Sequence, residues 1–297
     1  MQPKCGGSGV EVSILHVLLL AVVQGLTEFL PISSSGHLAL IEQLFGWAND
    51  EALKNAMLPF NAILHFGTLI SIVAYFRSDI TAMLFPKASE VGNAGDSEDK
   101  SEVVMHKGAI HDRNRFLLLL ILIANVPTGI IALLLHKLAE EATRSTYAVS
   151  AMLALTGVLL LVGERMARNG CGERLTLPKA FLIGCAQGFG VMPGLSRSGV
   201  TIFAGLVVGL KRDDAARFAF LVSIPAIVAA GLYELKEMPF GADVNIMHIL
   251  LGCTIAAIIG YVAICIVMKA VGLRKLWCFA LYCFFVAASI LILALRG

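Results

Sequence analysis

The lengths of the apolar runs constrain the fold of this chain more than any other feature. A helix needs about 20 apolar residues to cross a bilayer, with a range of roughly 17 to 25. Because 58% of the 297 residues are apolar and only 15% are charged, the chain lacks the polar surface of a soluble globule. The sequence therefore predicts an all-α, multi-pass membrane protein. Six runs reach or approach the required length and are predicted to cross, at residues 57–76, 116–135, 147–162, 218–232, 246–268 and 276–295.

Four further apolar runs are too short to cross unaided, at residues 12–23, 38–48, 180–192 and 200–210. They form two pairs, and each pair flanks a short polar segment. Joining each pair gives a re-entrant helical hairpin whose polar tip lies inside the membrane, where protein or water satisfies the broken backbone. An arrangement in which all four short runs cross the membrane is the alternative.

The two polar segments resemble each other in sequence. Residues 24–37 read QGLTEFLPISSSGH, and residues 187–199 read QGFGVMPGLSRSG. Both begin with Gln-Gly and reach Ser-x-Ser-Gly at the same spacing, with an offset of 163 residues. One hairpin and three crossings in each half turn the second copy upside down, as in many transporters. The prediction is a single domain over residues 1–297, with a first inverted repeat at 10–163 and a second at 180–297.

Lysine and arginine are distributed unevenly between the two predicted faces. One face holds the segments 77–115, 164–179, 211–217 and 269–275, with sixteen basic residues against six on the opposite face. Because basic residues concentrate in cytoplasmic loops, the first face is predicted to be cytoplasmic and both termini extracytoplasmic. Within the cytoplasmic loop 77–115, the charged and glycine-containing stretch 86–112 is predicted to be an insertion without a packed structure.

The first polar segment places a carboxylate on an otherwise apolar helix. Gln24 and Glu28 lie four residues apart and share one helix face, and Pro31 is predicted to end that helix near Leu30. An ionisable residue in a membrane segment indicates function by default, although Glu28 can also serve a structural ion pair with Arg197. Carboxylate and amide oxygens suit hard cations, so Glu28 and Gln24 are predicted ligands of Mg²⁺ or Ca²⁺.

Three hydroxyls and an imidazole follow at the start of the next helix. Ser33, Ser34 and Ser35 stand where serine is a favoured N-cap and where free backbone N–H groups attract phosphate. The serines can therefore cradle an anion or act only as caps. His37 is a candidate acid, base or nucleophile. A second histidine, His65, lies on the first long run; it is predicted to be a hydrogen-bonded packing residue, and the alternative is that it faces the same cavity as the two polar segments.

The second polar segment supplies a positive charge. Arg197 is the only basic residue at hairpin depth, and its planar guanidinium binds phosphate oxygens at two points. Ser196, Ser198 and Thr201 surround it with hydroxyls. We therefore predict that Arg197 and these hydroxyls bind phosphate.

Both segments resemble the two motifs of the bacterial undecaprenyl-diphosphatase family of the bacitracin-resistance type, and the resemblance extends over essentially the whole chain. It implies a plasma-membrane enzyme that removes the terminal phosphate of undecaprenyl diphosphate, regenerating the lipid carrier for envelope polymers. It assigns the chemistry to Ser34 and His37, with Ser196, Arg197 and Thr201 on the phosphates, in a site open to the extracytoplasmic face. The family has Glu or Gln at the first motif position, here Gln24.

Several alternatives remain open at this stage. The attacking group is Ser34, with Glu28 or His37 as base, or it is His37 itself. A lipid-phosphate transporter or flippase would need a similar anion site, and a non-catalytic partner of envelope synthases is a third function. The expected partners are a polyprenyl diphosphate and membrane lipid, not nucleic acid. The sequence leaves the oligomeric state open, with a homodimer among the possible states.

Overall fold

The computed structural model describes residues 13–45, 51–85, 100–167, 172–236 and 246–296, and each regular element in these ranges is a helix. The helices in chain order are α1 (Ile14–Phe29), α2 (Ser34–Leu44), α3 (Glu51–Tyr75), α4 (Arg77–Leu84), α5 (Lys100–Thr143), α6 (Thr146–Ala167), α7 (Leu177–Phe189), α8 (Arg197–Val207), α9 (Arg212–Lys236), α10 (Ile246–Gly272) and α11 (Leu276–Arg296).

Five helical stretches of the described chain are long and apolar enough to cross a bilayer. A sixth crossing results if Ile63–Tyr75 and Arg77–Leu84, which meet at an angle of 79°, are one span. The predicted fold class, an all-α multi-pass membrane protein, is confirmed. The five stretches are Arg115–Thr143, Thr146–Ala167, Arg212–Lys236, Ile246–Gly272 and Leu276–Leu295.

The predicted cytoplasmic loop 77–115 is helical over much of its described length, so the expectation that it lacks regular structure is wrong there. Its first part forms α4, and α5 begins at Lys100, so residues 100–112 of the predicted insertion are helical. The sequence from Lys100 to Arg115 contains no proline and one glycine, and charged residues are good helix formers outside a bilayer. The high content of charged residues in this stretch therefore did not indicate a loop. Residues 86–99 lie outside the described residues.

The helices that flank the two polar segments are short, as predicted. The first helix of each segment packs along one long helix. α1 packs along α10, and α7 packs along α5. Glycine permits the close approach in both pairs. A Cβ at Gly25 would lie 2.9 Å from the Ala256 carbonyl oxygen, and one at Gly184 would lie 2.0 Å from the Ala124 carbonyl oxygen. Small residues at such contacts are typical of membrane helices, whose association depends on close packing.

A buried ion pair ties three helix ends together away from the polar segments. Glu164, near the end of α6, lies 2.9 Å from Nη2 of Arg212 at the start of α9. Its second carboxylate oxygen accepts a hydrogen bond of 3.1 Å from the backbone N–H of Leu276, the first residue of α11. Both charged side chains are almost fully buried. This contact fixes the ends of α6, α9 and α11 relative to one another.

The largest apolar cluster lies directly beside the end of α1. Phe29 is 2% exposed and meets Phe220 of α9 edge to face, with ring centroids 5.9 Å apart. Phe76 packs against the same Phe220 ring. Because Phe29 adjoins Glu28 in sequence, this packing holds the carboxylate-bearing end of α1 in place.

Candidate active site

The first tip is a tight turn between α1 and α2. α1 ends at Phe29, two residues before Pro31, as the proline predicted. Ser33 follows with a φ of 69°, and its hydroxyl accepts a hydrogen bond of 3.3 Å from the backbone N–H of Gly36. Ser33 thus caps α2, and Ser34 becomes the first residue of that helix.

The second tip has a related turn between α7 and α8. Gly194 has a φ of 88°, and a Cβ there would lie 2.3 Å from the carbonyl oxygen of Val149, so only glycine fits. Ser196 caps α8 by accepting a hydrogen bond of 3.1 Å from the backbone N–H of Gly199. Arg197 is then the first residue of α8, as Ser34 is of α2.

The two tips meet. The backbone N–H of Gly194 donates to the hydroxyl of Ser35 at 3.4 Å, and the hydroxyl of Ser198 donates to the carbonyl oxygen of Leu30 at 3.3 Å. Segments that are far apart in sequence therefore form one site.

Glu28 is the residue on which both tips converge. One of its oxygens, Oε1, is paired with Nη2 of Arg197. The other, Oε2, accepts a hydrogen bond of 2.8 Å from the hydroxyl of Ser34 and one of 3.1 Å from Nε2 of Gln24. A carboxylate that accepts a serine hydroxyl proton in this way can act as a general base.

Beside this group lies a cavity of about 270 Å³. A water molecule occupies roughly 30 Å³ in the liquid, so the cavity has room for phosphate groups. Its wall contains both charged groups of the tip and most of the predicted hydroxyls. Its polar lining residues are Thr27, Glu28, Ser33, Ser34, Ser35, His65, Thr128, Gln187, Ser196 and Arg197.

His37, a predicted catalytic residue, is turned away from the cavity lining and toward α11. Its Nδ1 lies 2.7 Å from the carbonyl oxygen of Ser33, and its Nε2 lies 2.8 Å from the hydroxyl of Tyr282. Because a carbonyl oxygen only accepts, Nδ1 carries the hydrogen, and Nε2 of the neutral ring accepts from the tyrosine. The imidazole also stacks on the Tyr282 ring, with an interplanar angle of 4°. In this arrangement His37 stabilises the turn at Ser33.

Three other predicted site residues do not line the cavity but contact residues that do. Gln24 reaches it through its hydrogen bond to Glu28. Ser198 lies 3.1 Å from the hydroxyl of Ser196 as well as donating to the first tip. The hydroxyl of Thr201 donates to the backbone carbonyl oxygen of Arg197 at 2.6 Å. These groups hold Glu28, Ser196 and Arg197, which themselves line the cavity.

The predicted cation ligands offer a small set of oxygen donors. Within the described residues, no cluster of three or more His, Cys, Asp or Glu side chains is placed to hold a metal ion. Oε1 of Gln24 is buried and has no hydrogen-bond partner in the described part of the chain. An amide oxygen left in this state beside a carboxylate suits a hard cation that takes its remaining ligands from substrate phosphate oxygens.

Several residues that face or support the site were not assigned to it from the sequence. His65 was predicted to be a packing residue, with a place at the cavity as the alternative; it lines the cavity, and its Nδ1 lies 3.3 Å from Oε2 of Glu234. Tyr282 is 245 residues from its partner His37. Gln187 was recognisable, because it occupies the position of Gln24 in the second polar segment. Thr128 gave no signal in the sequence.

Fold and site together define a class of protein: a multi-pass helical membrane protein with serines, a carboxylate and an arginine gathered where two broken helices meet. The chain belongs to the family described as bacitracin resistance protein BacA, whose family model matches residues 17–289. The resemblance of the two polar segments is thereby confirmed.

Relatives named undecaprenyl-diphosphatase cover nearly the whole chain. The protein from Halothermothrix orenii is 37% identical over 95% of this chain and 98% of its own length. The protein from Desulfatibacillum aliphaticivorans is 37% identical over 94% of this chain and 98% of its own. The protein from Trichlorobacter lovleyi is 37% identical over 96% and 97%, respectively.

Proposed function

We propose that this protein is an undecaprenyl-diphosphatase, which hydrolyses undecaprenyl diphosphate to undecaprenyl phosphate and inorganic phosphate. The observation that carries the proposal is the hydrogen bond of 2.8 Å from the Ser34 hydroxyl to the Glu28 carboxylate, with Arg197 on the other carboxylate oxygen. The proposed nucleophile Ser34 and the proposed phosphate-binding group Arg197 thus both contact the proposed base, Glu28. The name shared by the relatives supplies the substrate.

In the first step Ser34 attacks the terminal phosphorus. Its hydroxyl proton passes to Glu28, a bond forms between Oγ and phosphorus, and the bond from phosphorus to the bridging oxygen breaks. Undecaprenyl phosphate leaves with the bridging oxygen. Protonation of Glu28 removes the negative charge that holds Arg197, so the guanidinium becomes available to the phosphoryl oxygens as charge develops on them.

In the second step water hydrolyses the phosphoserine. The water oxygen bonds to phosphorus, the bond from phosphorus to Oγ breaks, and Glu28 returns its proton to Ser34. One water hydrogen stays on the phosphate product and the other is released to solvent. This restores the carboxylate and its pairing with Arg197. His37 has no proton transfer in this scheme, because both its nitrogens are engaged at the turn.

A divalent cation, Mg²⁺ or Ca²⁺, completes the proposal. The amide oxygen of Gln24, which is buried without another partner among the described residues, and Glu28 in its ionised form would hold it. When bound, it would offset the charge of the diphosphate. The hydroxyls of Ser33, Ser35 and Ser196 line the same cavity and would contact phosphate oxygens directly.

We further propose a plasma-membrane location, with both termini and the mouth of the site on the extracytoplasmic side. The distribution of lysine and arginine supports this orientation. The packing of α1 along α10 and of α7 along α5 supports two re-entrant hairpins in an inverted repeat, because the two pairs are equivalent under it. A homodimer surrounded by membrane lipid stays a prediction.

Hydrolysis by detergent-purified protein tests the proposed function. Undecaprenyl diphosphate should release phosphate in the presence of Mg²⁺ or Ca²⁺, and a chelator should stop the release. Arg197→Ala and Ser34→Ala should each lower kcat by about 10²-fold or more, the effect of losing a group that stabilises transition-state charge or attacks. Arg144→Ala, in the exposed connection between α5 and α6, is the matched control and should keep full activity.

Two results would contradict the proposal. Full activity of purified Arg197→Ala protein would remove the phosphate-binding role, and a wild-type protein that moves the lipid in vesicles without releasing phosphate would be a transporter. A transporter has no need of a hydroxyl donating to Glu28, which is why the site favours hydrolysis.

A further inference from the structure

We infer that His65, held by Glu234, is a second binding group for the diphosphate, on the part of the cavity wall that α3 supplies. The inference rests on the proposed function, because it names a further substrate ligand of the same site. His65 belongs to α3 and Glu234 to α9, neither of which is part of the two polar segments.

The Nδ1 side of His65 contacts Glu234, and the side chain lines the cavity. Nδ1 of His65 lies 3.3 Å from Oε2 of Glu234, and the His65 side chain is 17% exposed. That carboxylate oxygen is buried and makes no hydrogen bond of regular geometry in the described chain, so its contact with His65 is mainly electrostatic. A carboxylate in this place favours a hydrogen on Nδ1 and stabilises the imidazolium. Nε2 is then the nitrogen on the opposite edge of a ring that lines the cavity.

The charges that line the cavity indicate what the His65–Glu234 pair can do. Of the described residues that line it, Arg197 and His65 are the two that can carry positive charge. Each of them is paired with a carboxylate, Arg197 with Glu28 and His65 with Glu234, and both bring N–H donors to the cavity wall. A diphosphate brings several negative charges, which must be met by hydrogen-bond donors inside a site shielded from water. His65 and Glu28 line the same cavity, so both border the space in which the diphosphate would react.

A protonated His65 would donate from Nε2 to a phosphate oxygen, while Arg197 binds from the other side. The diphosphate would thus be held between α3 and the two tips, with its terminal phosphorus at Ser34. Glu234 is a positioning residue, because it acts on the substrate only through His65.

The test compares two His and Glu pairs of this chain. His65→Leu should weaken the binding of methylene bisphosphonate, a diphosphate that cannot be hydrolysed, by about 10- to 100-fold, the effect of one hydrogen bond to a charged group. His65→Gln keeps a donor and should lose less, and Glu234→Gln should fall between wild type and His65→Leu. The matched control is His136→Leu on α5, since His136 lies 3.7 Å from Glu140 and neither of the two residues lines the cavity. Binding is measured by calorimetry and KM with undecaprenyl diphosphate.

The outcomes separate this inference from the proposed function. If wild type hydrolyses the lipid and His65→Leu binds bisphosphonate as wild type does, the inference alone is wrong. An equal loss in His65→Leu and His136→Leu would also overturn it, because the effect would then be general. If wild type releases no phosphate, the proposed function fails while the binding measurement still decides the role of His65. Should His65→Leu fail to fold, wild-type binding by both His65→Gln and Glu234→Gln would overturn the inference.

Discussion

A single carboxylate, that of Glu28, accepts from groups that come from both halves of the chain. Ser34 and Gln24 donate to one oxygen, and Arg197 pairs with the other. A buried charge is costly unless it is paired and hydrogen-bonded, so this arrangement stabilises Glu28 in its ionised form. The same contacts therefore keep Glu28 ionised and beside Ser34, which is the form that a proton acceptor must have.

Sequence alone identified the residue types at the site better than their orientation. Glu28, Ser34 and Arg197 stood out because polar groups are rare in an apolar chain, and all three line the cavity. His37 stood out for the same reason, yet it contacts Tyr282. The direction of a side chain depends on its neighbours in space, and this neighbour is 245 residues away.

Tyr282 should affect the rate through His37. Tyr282→Phe removes the donor to Nε2 of His37 and loosens the support of the Ser33 carbonyl oxygen, and thereby the placement of Ser34. One hydrogen bond is worth about 1 kcal/mol, so we expect kcat to fall about fivefold while KM stays near the wild-type value. Steady-state kinetics with undecaprenyl diphosphate measure both constants.

Tyr261→Phe is the control for this substitution. Tyr261 lies on α10, is 40% exposed against 41% for Tyr282, and packs on Tyr75 instead of the site. A change in KM without a change in kcat for Tyr282→Phe would show that the tyrosine assists binding, and equal effects of both variants would remove its positioning role.

At the scale of elements, local rules predicted the broken helices well. Pro31 set the end of α1, and serine caps set the starts of α2 and α8, because each effect acts within one helical turn. The start of α5 at Lys100 was missed, since a charged stretch can be loop or helix and its composition does not decide between them.

The contact of α7 with α5 should depend on Gly184. A methyl group there would lie 2.0 Å from the Ala124 carbonyl oxygen, so Gly184→Ala must push the two helices apart. Overpacking of this kind costs about 1 to 3 kcal/mol, and we expect the free energy of unfolding to fall by that amount. Unfolding in mixed micelles, followed by circular dichroism, measures it.

Gly129 on α5 provides the opposite expectation within the same helix pair. A Cβ at Gly129 has no atom within 4 Å, so Gly129→Ala should raise the free energy of unfolding by about 0.5 to 1 kcal/mol through helix propensity. If both alanines stabilise the protein, the close approach of α7 to α5 is wrong.

At the scale of the whole molecule, run lengths predicted the membrane class, and the duplicated segment predicted that two tips belong together. The repeat alone does not show that the two tips meet. That conclusion also needs the packing of α1 on α10 and of α7 on α5, which the sequence does not provide. The sequence allowed His65 of α3 to face the cavity without favouring it, and the part of the wall supplied by α9 was not predicted, because that helix carries no motif.

The proposed orientation predicts which connections are reachable from outside. In a variant whose seven cysteines are replaced by alanine, a membrane-impermeant maleimide added to spheroplasts should label Arg144→Cys, between α5 and α6. It should label Lys275→Cys, between α10 and α11, only after permeabilisation. Both positions are exposed, so a difference in labelling reports the side of the membrane. The reverse pattern would place the site on the cytoplasmic face.

The pairing of Glu28 with Arg197 also orders events during biosynthesis. The two residues are 169 positions apart, and at about 5 to 20 residues per second the ribosome needs roughly 10 to 30 s between them. During that interval the amino-terminal half holds a carboxylate with no arginine to neutralise it. The newly made half must therefore keep Glu28 protonated, near water or in contact with the translocation machinery until the second half arrives. The contacts that complete the site are then the same contacts that join the two halves of the chain.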